Sequence, residues 1–519
     1  MTQRQINEWF LGIDLGTGSC KSVVIDRQAH ILGFGSGNYI ASTTRNKWDE
    51  QDPDAILSGM VRATRSAIEQ AGVSAIHCQG LSIGSSLHTL LALDSSDQPL
   101  TGVMTWADRR AESQAQAIQG TAIGNRLYKQ TGCPPHGMYP LYKIKWLSEK
   151  QPDIFIKAIH FVSIKEYVIS RLTGQYLVDY SVAAGSGFLN AQSLDWNEDS
   201  LEFAGITTSY LSKLCDPEDV ILGLNLDFCK LLGINAATPL IMGASDAVNS
   251  SLGAGSVIPG RATLMIGTSG ALRVIAPQPR IDSEGRNWCY AIDKQHWLVG
   301  GSINNGGIAI SWFKDIARQL TSISPEGSDL SFEYLMSLAE QARVGSDGLL
   351  CLPFFTGERS PAWNQNARGV LFGLTLQHDA RHISRALIEG VAFRLKSIYN
   401  VLKENGEDIQ QIRTSGGFTK SRLWLQIVSS ALNHDLVIPE WGETSSLGAA
   451  LWVLLGDGVV FSIENLGDLI PIRESYQPVS KDVDTYNHLY DIYSGLYQAL
   501  RPSFDQIAQW QRQNSSDEM

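Results

Sequence analysis

Three short glycine-rich turns in the sequence have residue types suited to binding phosphate. They are Gly16–Ser19 (the Thr17 turn), Gly267–Gly270 (the Thr268 turn) and Gly416–Gly417 (the Gly416 turn). Glycine lets backbone amides come close to an anion, and a Thr or Ser hydroxyl adds a further donor. One such turn usually does no more than join two strands, but three of them at strand ends favour a phosphate site.

Two familiar phosphate-binding motifs are excluded. The P-loop motif GxxxxGK[ST] needs a Gly-Lys dipeptide, which the chain lacks, and no GxGxxG motif lies between a strand and a helix. A nucleotide would therefore be bound through the glycine turns.

Two aspartates follow apolar segments and could act beside a phosphate. Asp14 ends the first segment, and one carboxylate near phosphates suits Mg2+, which prefers oxygen ligands and keeps several waters. Asp246 follows Pro239–Gly243, where a carboxylate can accept the proton of a hydroxyl that attacks a phosphoryl group. The simpler interpretations are a cap on the Thr17 turn for Asp14 and, with Ser245, a helix N-cap for Asp246. The second is compatible with catalysis.

Residues 106–110, Trp-Ala-Asp-Arg-Arg, combine an aromatic ring, a carboxylate and fixed cations. Trp106 could stack on a polyhydroxylated molecule, Asp108 could accept hydrogen bonds from it, and the Arg109 guanidinium could bind a carboxylate. His88 could join them from a neighbouring strand. The plainer alternatives are a surface salt-bridge cluster and a structural histidine.

A rival motif, GxSxG at Gly80–Gly84, would make Ser82 the nucleophile of a serine hydrolase. That motif needs a helix directly after the serine. Here Ile76–Ile83 and Leu90–Leu93 both indicate strands, which favours a chance match.

Apolar periodicity and turn residues predict the elements that position these side chains. Phe10–Asp14, Ser22–Asp26 and Ile31–Gly35 indicate three antiparallel strands, the first two joined by the Thr17 turn. An Asp52-Pro53 start and a stop at Gly72 predict an amphipathic helix. Strands and helices continue to alternate, which is typical of α/β proteins.

The strand-turn-strand pattern recurs in the second half, where Ala262–Ile266 and Ala271–Ala276 flank the Thr268 turn. This recurrence indicates two related domains, with chance repetition of a Gly-Thr hairpin as the alternative. A strand at Ile412–Ser415 leads into the Gly416 turn. Longer helices are predicted at Ala380–Glu404, Ser421–Leu432 and Thr444–Leu455.

Composition limits the function classes. The 519 residues carry 41 Lys and Arg against 53 Asp and Glu, a net charge of −12, and no basic block, which argues against a nucleic-acid binder. No apolar run reaches the roughly 18 residues that span a membrane, and the N-terminus lacks an apolar signal core. We expect a cytoplasmic protein whose seven scattered cysteines are reduced.

These features together resemble the FGGY family of carbohydrate kinases, within the actin-like ATPase superfamily. The resemblance runs through GIDLGTGSCKSVVID, TWADRR, GASDAV, MIGTSGALR, GGSINNGG, PFFTGERSPAWN, SGGF and ETSSLGAA. TWADRRAES, YKQTGCPPHGMYPLYKIKW and VDYSVAAGSGFLN are most similar to the gluconokinase branch. Two departures are Leu87, where many relatives have Met, and Gly18, where relatives often carry a hydroxyl donor.

The resemblance implies an α/β, actin-like ATPase (ribonuclease-H-like) fold with two related domains, 1–255 and 256–519, flanking a central cleft. The sugar would lie on the first domain and ATP on the second. The residue roles it implies are Asp246 as catalytic base; Asp14 as metal ligand; His88, Trp106, Asp108 and Arg109 on the substrate side; Thr17, Gly18, Ser19, Gly267 and Thr268 at the phosphates; and Gly416, Gly417 and Phe418 at the adenosine.

The implied activity is phosphorylation of a terminal hydroxyl with ATP and Mg2+, with D-gluconate as the expected acceptor. A xylulokinase or another pentulose or polyol kinase is the alternative, and a non-catalytic sugar or nucleotide sensor is the alternative of a different class. The expected partners are these small molecules, with no nucleic acid or membrane; a homodimer is left open.

Overall fold

The computed structural model describes residues 8–39, 43–45, 48–321 and 331–514. The strands among these residues are β1 Trp9–Leu15, β2 Ser19–Ile25, β3 Ile31–Asn38, β4 Thr43–Arg45, β5 Trp48–Gln51, β6 Cys78–Ser85, β7 Leu91–Leu93, β8 Val103–Met104, β9 His160–Val162, β10 Leu177–Asp179, β11 Lys213–Cys215, β12 Val220–Ile221, β13 Leu240–Ile241, β14 Arg261–Ile266, β15 Gly270–Ala276, β16 Trp288–Ala291, β17 Trp297–Ile303, β18 Leu350–Leu352, β19 Val370–Phe372, β20 Gln411–Ser415, β21 Leu436–Pro439 and β22 Ile472–Tyr476.

The α-helices of the same residues are α1 Pro53–Ala71, α2 Glu112–Ile118, α3 Ala122–Thr131, α4 Pro140–Lys150, α5 Pro152–Lys157, α6 Ile164–Thr173, α7 Tyr180–Ala184, α8 Glu198–Ala204, α9 Leu226–Leu232, α10 Asp246–Gly253, α11 Ile308–Thr321, α12 Phe332–Gln341, α13 Ala380–Glu404, α14 Arg422–Leu432, α15 Thr444–Gly456, α16 Ile463–Leu466 and α17 Ser480–Asn514.

The chain divides into two compact units. Unit 1 contains the described residues up to Ile258, together with Ile275–Val299 and Glu443–Pro471. Unit 2 contains Pro259–Val274, Gly300–Gly442 and the chain from Ile472 onward. Helices α15 and α16, late in the sequence, therefore belong to unit 1.

Unit 1 is built on a six-stranded sheet in the order β12-β13-β6-β1-β2-β3. Strands β1, β6 and β13 are parallel, whereas β2, β3 and β12 pair antiparallel with their neighbours. All seven residues of β1 are buried, as expected for a central strand covered on both faces. The core beside β1 includes Leu11 and Ile13 together with Met60 of α1.

Unit 2 repeats this topology. Its sheet has the order β17-β15-β14-β20-β21-β22, counting the parts of β15 and β17 that lie in this unit. Strand β14 pairs antiparallel with β15 and parallel with β20, β20 pairs parallel with β21, and β22 returns antiparallel. The strand order therefore matches that of unit 1, and so do the directions of β14, β15, β20, β21 and β22, which supports the predicted internal repeat.

Helix α1 forms and packs as its sequence predicts. The Asp52 carboxylate accepts a hydrogen bond from the Asp54 amide, Pro53 opens the helix, and Gly72 ends it in the left-handed conformation with φ 63°. A Cβ on Gly35 of β3 would lie 2.0 Å from the Ala63 carbonyl oxygen. Glycine on this face of β3 lets the backbone of α1 lie directly on the sheet.

Helix α15 makes similar close contacts with two elements of unit 1. A Cβ on Gly12 of β1 would lie 2.2 Å from the Ser446 carbonyl oxygen, and one on Gly448 would lie 1.8 Å from that of Asn249 in α10. The Trp452 indole also donates a 2.9 Å hydrogen bond to the buried Asn249 side chain. Helix α15 thus packs against both β1, which carries Asp14, and α10, which begins at Asp246.

Most predicted elements are present with small changes at their ends. Helix α13 has its predicted bounds, Ala380–Glu404, whereas β6 begins at Cys78 because residues 75–77 form a single 3-10 turn. Ser82 lies in the middle of β6 and is fully buried, so no helix follows it and the serine hydrolase alternative is wrong. All seven cysteines are buried, and no disulfide bond joins them. Within the described ranges, no helix has the length and apolar character needed to cross a membrane.

We predict that one added methyl group at Gly448 destabilises unit 1. In Gly448→Ala the new Cβ cannot fit beside the Asn249 carbonyl unless the backbone shifts, and overpacking of this kind costs about 1–3 kcal/mol. Thermal unfolding followed by circular dichroism measures the change. Gly495→Ala is the matched control, because Gly495 is an exposed glycine of α17 with no atom near its added Cβ. Equal melting temperatures for the two variants would contradict the close contact of α15 and α10.

Candidate active site

Asp14 lies at the end of β1 as a buried carboxylate. Its side chain is 8% exposed, and the described residues supply no hydrogen-bond partner for its Oδ1. Burial raises the pKa of Asp14 to about 6, while Ser445 and the Lys21 ammonium act to lower it. A buried carboxylate with one oxygen that lacks a hydrogen-bond partner is suited to bind a cation or a proton.

The surroundings of Asp14 fit Mg2+ better than a metal held by protein groups alone. Lys21 lies opposite Asp14 in the β1–β2 ladder, and its ammonium forms a 2.7 Å ion pair with Glu443. Among the described residues, no three His, Cys, Asp or Glu side chains are grouped to hold a metal. A divalent ion at Asp14 would need water and phosphate oxygens as its other ligands, which is the usual coordination of Mg2+ in nucleotide sites.

The Thr17 turn is fixed on one side and open on the other. The Gly16 amide donates to the Ser19 carbonyl at 3.1 Å, and the Gln51 side chain donates to the Thr17 carbonyl. Trp106 donates its indole N–H to the Thr17 hydroxyl at 3.1 Å. Gly18 is exposed, with empty space where a Cβ would lie, so an anion could approach the backbone there. The Thr17 turn and Trp106, which is predicted to lie on the substrate side, are thus in direct contact.

Asp246 is the first residue of α10 and is half-buried. Ser245 precedes the helix in an extended conformation, but its side chain makes no capping hydrogen bond. Its backbone amide instead donates to the Ser181 hydroxyl at 2.8 Å. Ser245 therefore does not cap α10 through its hydroxyl. The Asp246 carboxylate lies in the first turn of the helix, where a negative charge is favoured.

His88 is held in an unusual backbone conformation, with φ 66°. Its Nδ1 lies 2.7 Å from the Gly185 carbonyl oxygen, which can only accept, so Nδ1 carries the proton. The ring contacts Tyr139 and Tyr290 edge-on, at centroid distances of 5.0 and 5.9 Å. The imidazole is therefore fixed in both orientation and tautomer.

Lys143 of α4 is a site residue that the sequence analysis missed, although it lies within the quoted YKIKW segment. Its fully buried ammonium donates to the carbonyl oxygens of His88 at 2.6 Å and Thr105 at 2.7 Å. Burial lowers the pKa of Lys143 to about 7, opposed by the nearby Asp108 carboxylate. One side chain thus connects the segment carrying His88 with the segment carrying Trp106.

The side chains of the Trp-Ala-Asp-Arg-Arg segment differ in burial and in their bonding partners. The buried Asp108 carboxylate accepts from the Arg110 guanidinium at 2.7–3.0 Å and from the Asp49 amide at 2.8 Å. Arg110 in turn lies 4.0 Å from the ring centroid of Trp48. Arg109 points outward, 46% exposed, and pairs with Glu112 at 2.5 Å. Trp106 and Arg109 are thus the accessible members, and substrate binding by Asp108 stays a prediction.

The Thr268 turn in unit 2 is fixed by the start of α11. The Gly267 carbonyl accepts from the Gly307 amide at 2.7 Å, and the Thr268 carbonyl accepts from the Gly306 amide at 3.0 Å. Thr268 itself is exposed, and no atom lies near the position of a Gly267 Cβ. The last two glycines of GGSINNGG therefore bind the carbonyl side of the turn and leave its other side open.

A buried carboxylate, Glu358, supports this arrangement and was also missed as an individual residue. It accepts from the backbone amides of Asn304 at 3.0 Å and Arg359 at 2.8 Å, with the Arg394 guanidinium 3.4 Å away. Burial raises the pKa of Glu358, although Arg394 acts in the opposite direction. Glu358 thus fixes the segment that leads into Gly306 and Gly307.

The Gly416 turn lies against the end of β14. Gly416 has φ 97°, and a Cβ there would lie 2.5 Å from the Ile266 carbonyl oxygen, directly before the Thr268 turn. Gly417 is exposed with open space around it. The Phe418 ring is buried, with its centroid 6.2 Å from that of Trp424. Two of the three glycine turns therefore meet in unit 2, and the open surface of the Gly416 turn is backbone.

Comparisons with known proteins show the family of the chain. The chain matches the N-terminal domain of the FGGY family of carbohydrate kinases over residues 9–253 and its C-terminal domain over residues 262–455. A gluconokinase of Bacillus licheniformis is 36% identical, with 98% of this chain and 100% of that protein covered. A xylulose kinase of Bacillus subtilis is 27% identical, with 94% and 97% covered.

Two solved structures from Lactobacillus acidophilus are similar over almost the whole chain. A gluconate kinase superposes with a TM-score of 0.90 at 33% identity, covering 96% of this chain and 99% of that one. A xylulose kinase gives the same TM-score at 32% identity, covering 96% and 100%. With its α/β, actin-like ATPase fold, the chain belongs to the FGGY family of carbohydrate kinases and transfers a phosphoryl group from ATP to an alcohol group of a sugar-type substrate.

Proposed function

We propose that the chain phosphorylates the terminal hydroxyl of D-gluconate to give 6-phospho-D-gluconate. The observation that carries this proposal is the 36% identity to proteins named gluconokinase over nearly their whole length, against 27% for the xylulose kinase of Bacillus subtilis. The exposed Arg109 guanidinium supports it, since an aldonate has a carboxylate that a neutral pentulose lacks.

A pentulose kinase is the second candidate. The solved xylulose kinase from Lactobacillus acidophilus, with 32% identity and a TM-score of 0.90, favours it. A non-catalytic sensor has less support, because the chain keeps both Asp14 and Asp246. The domain bounds 1–255 and 256–519, the cytoplasmic location and the homodimer stay predictions.

In this proposal Asp246 orients the acceptor hydroxyl and receives its proton as the phosphoryl group is transferred. It lies in the first turn of α10, where the helix dipole stabilises a negative charge. Phosphoryl transfer needs positioning and charge stabilisation more than a strong base. Trp106 and His88 would hold the sugar, while the open amides of the Thr17 and Thr268 turns would bind phosphate oxygens.

Asp14 is the residue of this chain that would hold Mg2+. The ion, when bound, neutralises charge on the phosphate oxygens. The buried Asp14 carboxylate would supply one ligand, and the Lys21 ammonium would add a positive charge on the neighbouring strand.

The acceptor is tested by an ADP-release assay with gluconate, xylulose, ribulose and glycerol at equal concentrations. We expect the highest kcat/KM with gluconate and a phosphorylated product that mass spectrometry identifies. Turnover of xylulose with none of gluconate would replace the proposal with the pentulose kinase. Binding of both ligands without product would support the sensor.

Asp246→Asn tests the proposed base. The amide keeps the shape of the side chain but cannot accept the proton, so we expect kcat to fall by about 10²- to 10⁴-fold while ATP binding measured by calorimetry is unchanged. Asp227→Asn is the matched control, an exposed aspartate in the first turn of α9. Near-normal turnover by D246N would remove Asp246 from this role.

Asp14→Asn tests the cost of the buried charge. The pKa of Asp14 is raised from 3.8 to about 6 on folding, so its contribution to stability decreases as pH rises from 3.8 to 6 and is lowest above that range. Above about pH 6 we expect D14N to be more stable than the natural chain by on the order of 3 kcal/mol, since each pKa unit is worth about 1.4 kcal/mol.

Below the ordinary aspartate pKa of 3.8 this stability difference should disappear, because both side chains are then neutral. Thermal unfolding across this pH range measures it. With ATP present, added Mg2+ should raise the melting temperature of the natural chain more than that of D14N. Equal stability of the two proteins at all pH values, with equal responses to Mg2+, would contradict the assignment of Asp14.

A further inference from the structure

The short helix α7 is connected at its start to Ser245, the residue before Asp246, and just after its end to His88. Its first turn contains Ser181, whose hydroxyl accepts from the Ser245 amide, directly before Asp246. Its C-terminal residue is followed by Gly185, whose carbonyl accepts from His88. Ser181 and Gly185 are one helical turn apart, about 6 Å along the axis. Helix α7 therefore lies between the proposed base and the proposed sugar-binding histidine.

The Ser181 hydroxyl makes two hydrogen bonds of fixed direction. It donates its single proton to the Asp179 carboxylate at 2.5 Å, so only its lone pairs remain for the Ser245 amide at 2.8 Å. Ser181 and Ser245 are both fully buried, and water cannot take over either bond. Loss of the hydroxyl would leave the Ser245 amide without this acceptor and release the start of α10 from it.

A buried ion pair fixes α7 itself. Asp179 caps the helix by accepting from the amides of Ser181 at 3.0 Å and Val182 at 3.1 Å. Its other oxygen accepts from the Lys165 ammonium at 2.6 Å, and both charged side chains are fully buried. The carboxylate is thus bonded on both oxygens, which gives the Ser181 hydroxyl a single favourable orientation.

The histidine end is fixed as well. The Gly185 carbonyl determines which His88 nitrogen carries the proton, and the Lys143 ammonium donates to the backbone carbonyl of His88 at 2.6 Å. The left-handed conformation of His88 is unfavourable for a residue with a side chain, so it needs these contacts to persist.

We infer that Ser181 is a positioning residue for phosphoryl transfer: through α7, it fixes the start of α10, and with it Asp246, relative to His88. This inference rests on the proposed roles of Asp246 and His88. Displacement of a reacting group by about 1 Å can reduce turnover roughly 100-fold. A hydroxyl that never touches the substrate can therefore control kcat through the placement of Asp246.

Threonine and valine at position 181 test the inference, because the two side chains have almost the same shape and differ in the hydroxyl. We expect Ser181→Thr to keep kcat within about threefold of the natural chain and Ser181→Val to lower it roughly 10- to 100-fold. The KM for ATP should stay the same in both variants. Steady-state kinetics with gluconate and ATP measures the split, and circular dichroism melting checks folding.

Ser200→Val is the matched control. Ser200 is also a fully buried serine in the first turn of a short helix, α8, and its hydroxyl bonds to the capping residue Asn197 at 2.9 Å. The Ser200→Val variant should be less stable than the natural chain but should keep its kcat. If threonine or valine prevents folding at position 181, the smaller Ser181→Ala and Ser200→Ala variants give the same comparison.

The results distinguish failure of the Ser181 role from failure of the Asp246 role. Equal kcat in S181T and S181V, or a kcat in S181V equal to that in S200V, would overturn the positioning role of Ser181 even if D246N is inactive. Normal turnover by D246N would instead overturn the proposed base, whatever the Ser181 variants do. An inactive D246N together with a slow S181V and a normal S181T is the result we expect.

Discussion

Helix α15 packs against both β1 and α10, and this contact fixes the two elements of unit 1 that carry Asp14 and Asp246. Gly12 and Gly448 allow backbone atoms of neighbouring elements to approach each other where a side chain would collide. The chemistry attributed to Asp14 and Asp246 needs a strand end and a helix start at a fixed separation. Close packing supplies that fixed separation, because protein interiors are dense and yield little to strain.

Buried charges are the second constraint on the site. Asp14, Lys143 and Glu358 are all buried. Burial raises the pKa of the two carboxyl groups and lowers the pKa of Lys143, so it favours the neutral form of each side chain. Desolvation of this kind costs free energy unless partners compensate. Lys143 and Glu358 bond to backbone groups of the segments they position, whereas Asp14 keeps an oxygen available for a cation. The charges in the site thus divide into those that fix the backbone and one suited to bind.

The two units have sheets of similar strand order, but different groups hold the turn of the first hairpin in each unit. In both, the first hairpin carries a Gly-Thr turn beside a central parallel strand, at β1–β2 and at β14–β15. The Thr17 turn is bound by Trp106 and Gln51 side chains, whereas the Thr268 turn is bound by the backbone of Gly306 and Gly307. The turn of one repeat is thus held by side chains, and the turn of the other by the backbone that leads into α11.

Local sequence determined the elements: the cap and stop of α1, the bounds of α13 and the hairpins with their glycine turns follow from residues close in the chain. Similarity of the motifs to FGGY kinases also indicated the family and the reaction. Tertiary structure decided which polar side chains fix the backbone, because Lys143, Ser181 and Asp108 have partners that are distant in the sequence. Asp108, predicted to bind the substrate, is buried and bonded to Arg110 and to the Asp49 amide. Tertiary structure also placed α15 in unit 1, since a contact between glycine and a distant backbone leaves no periodic signal in the sequence.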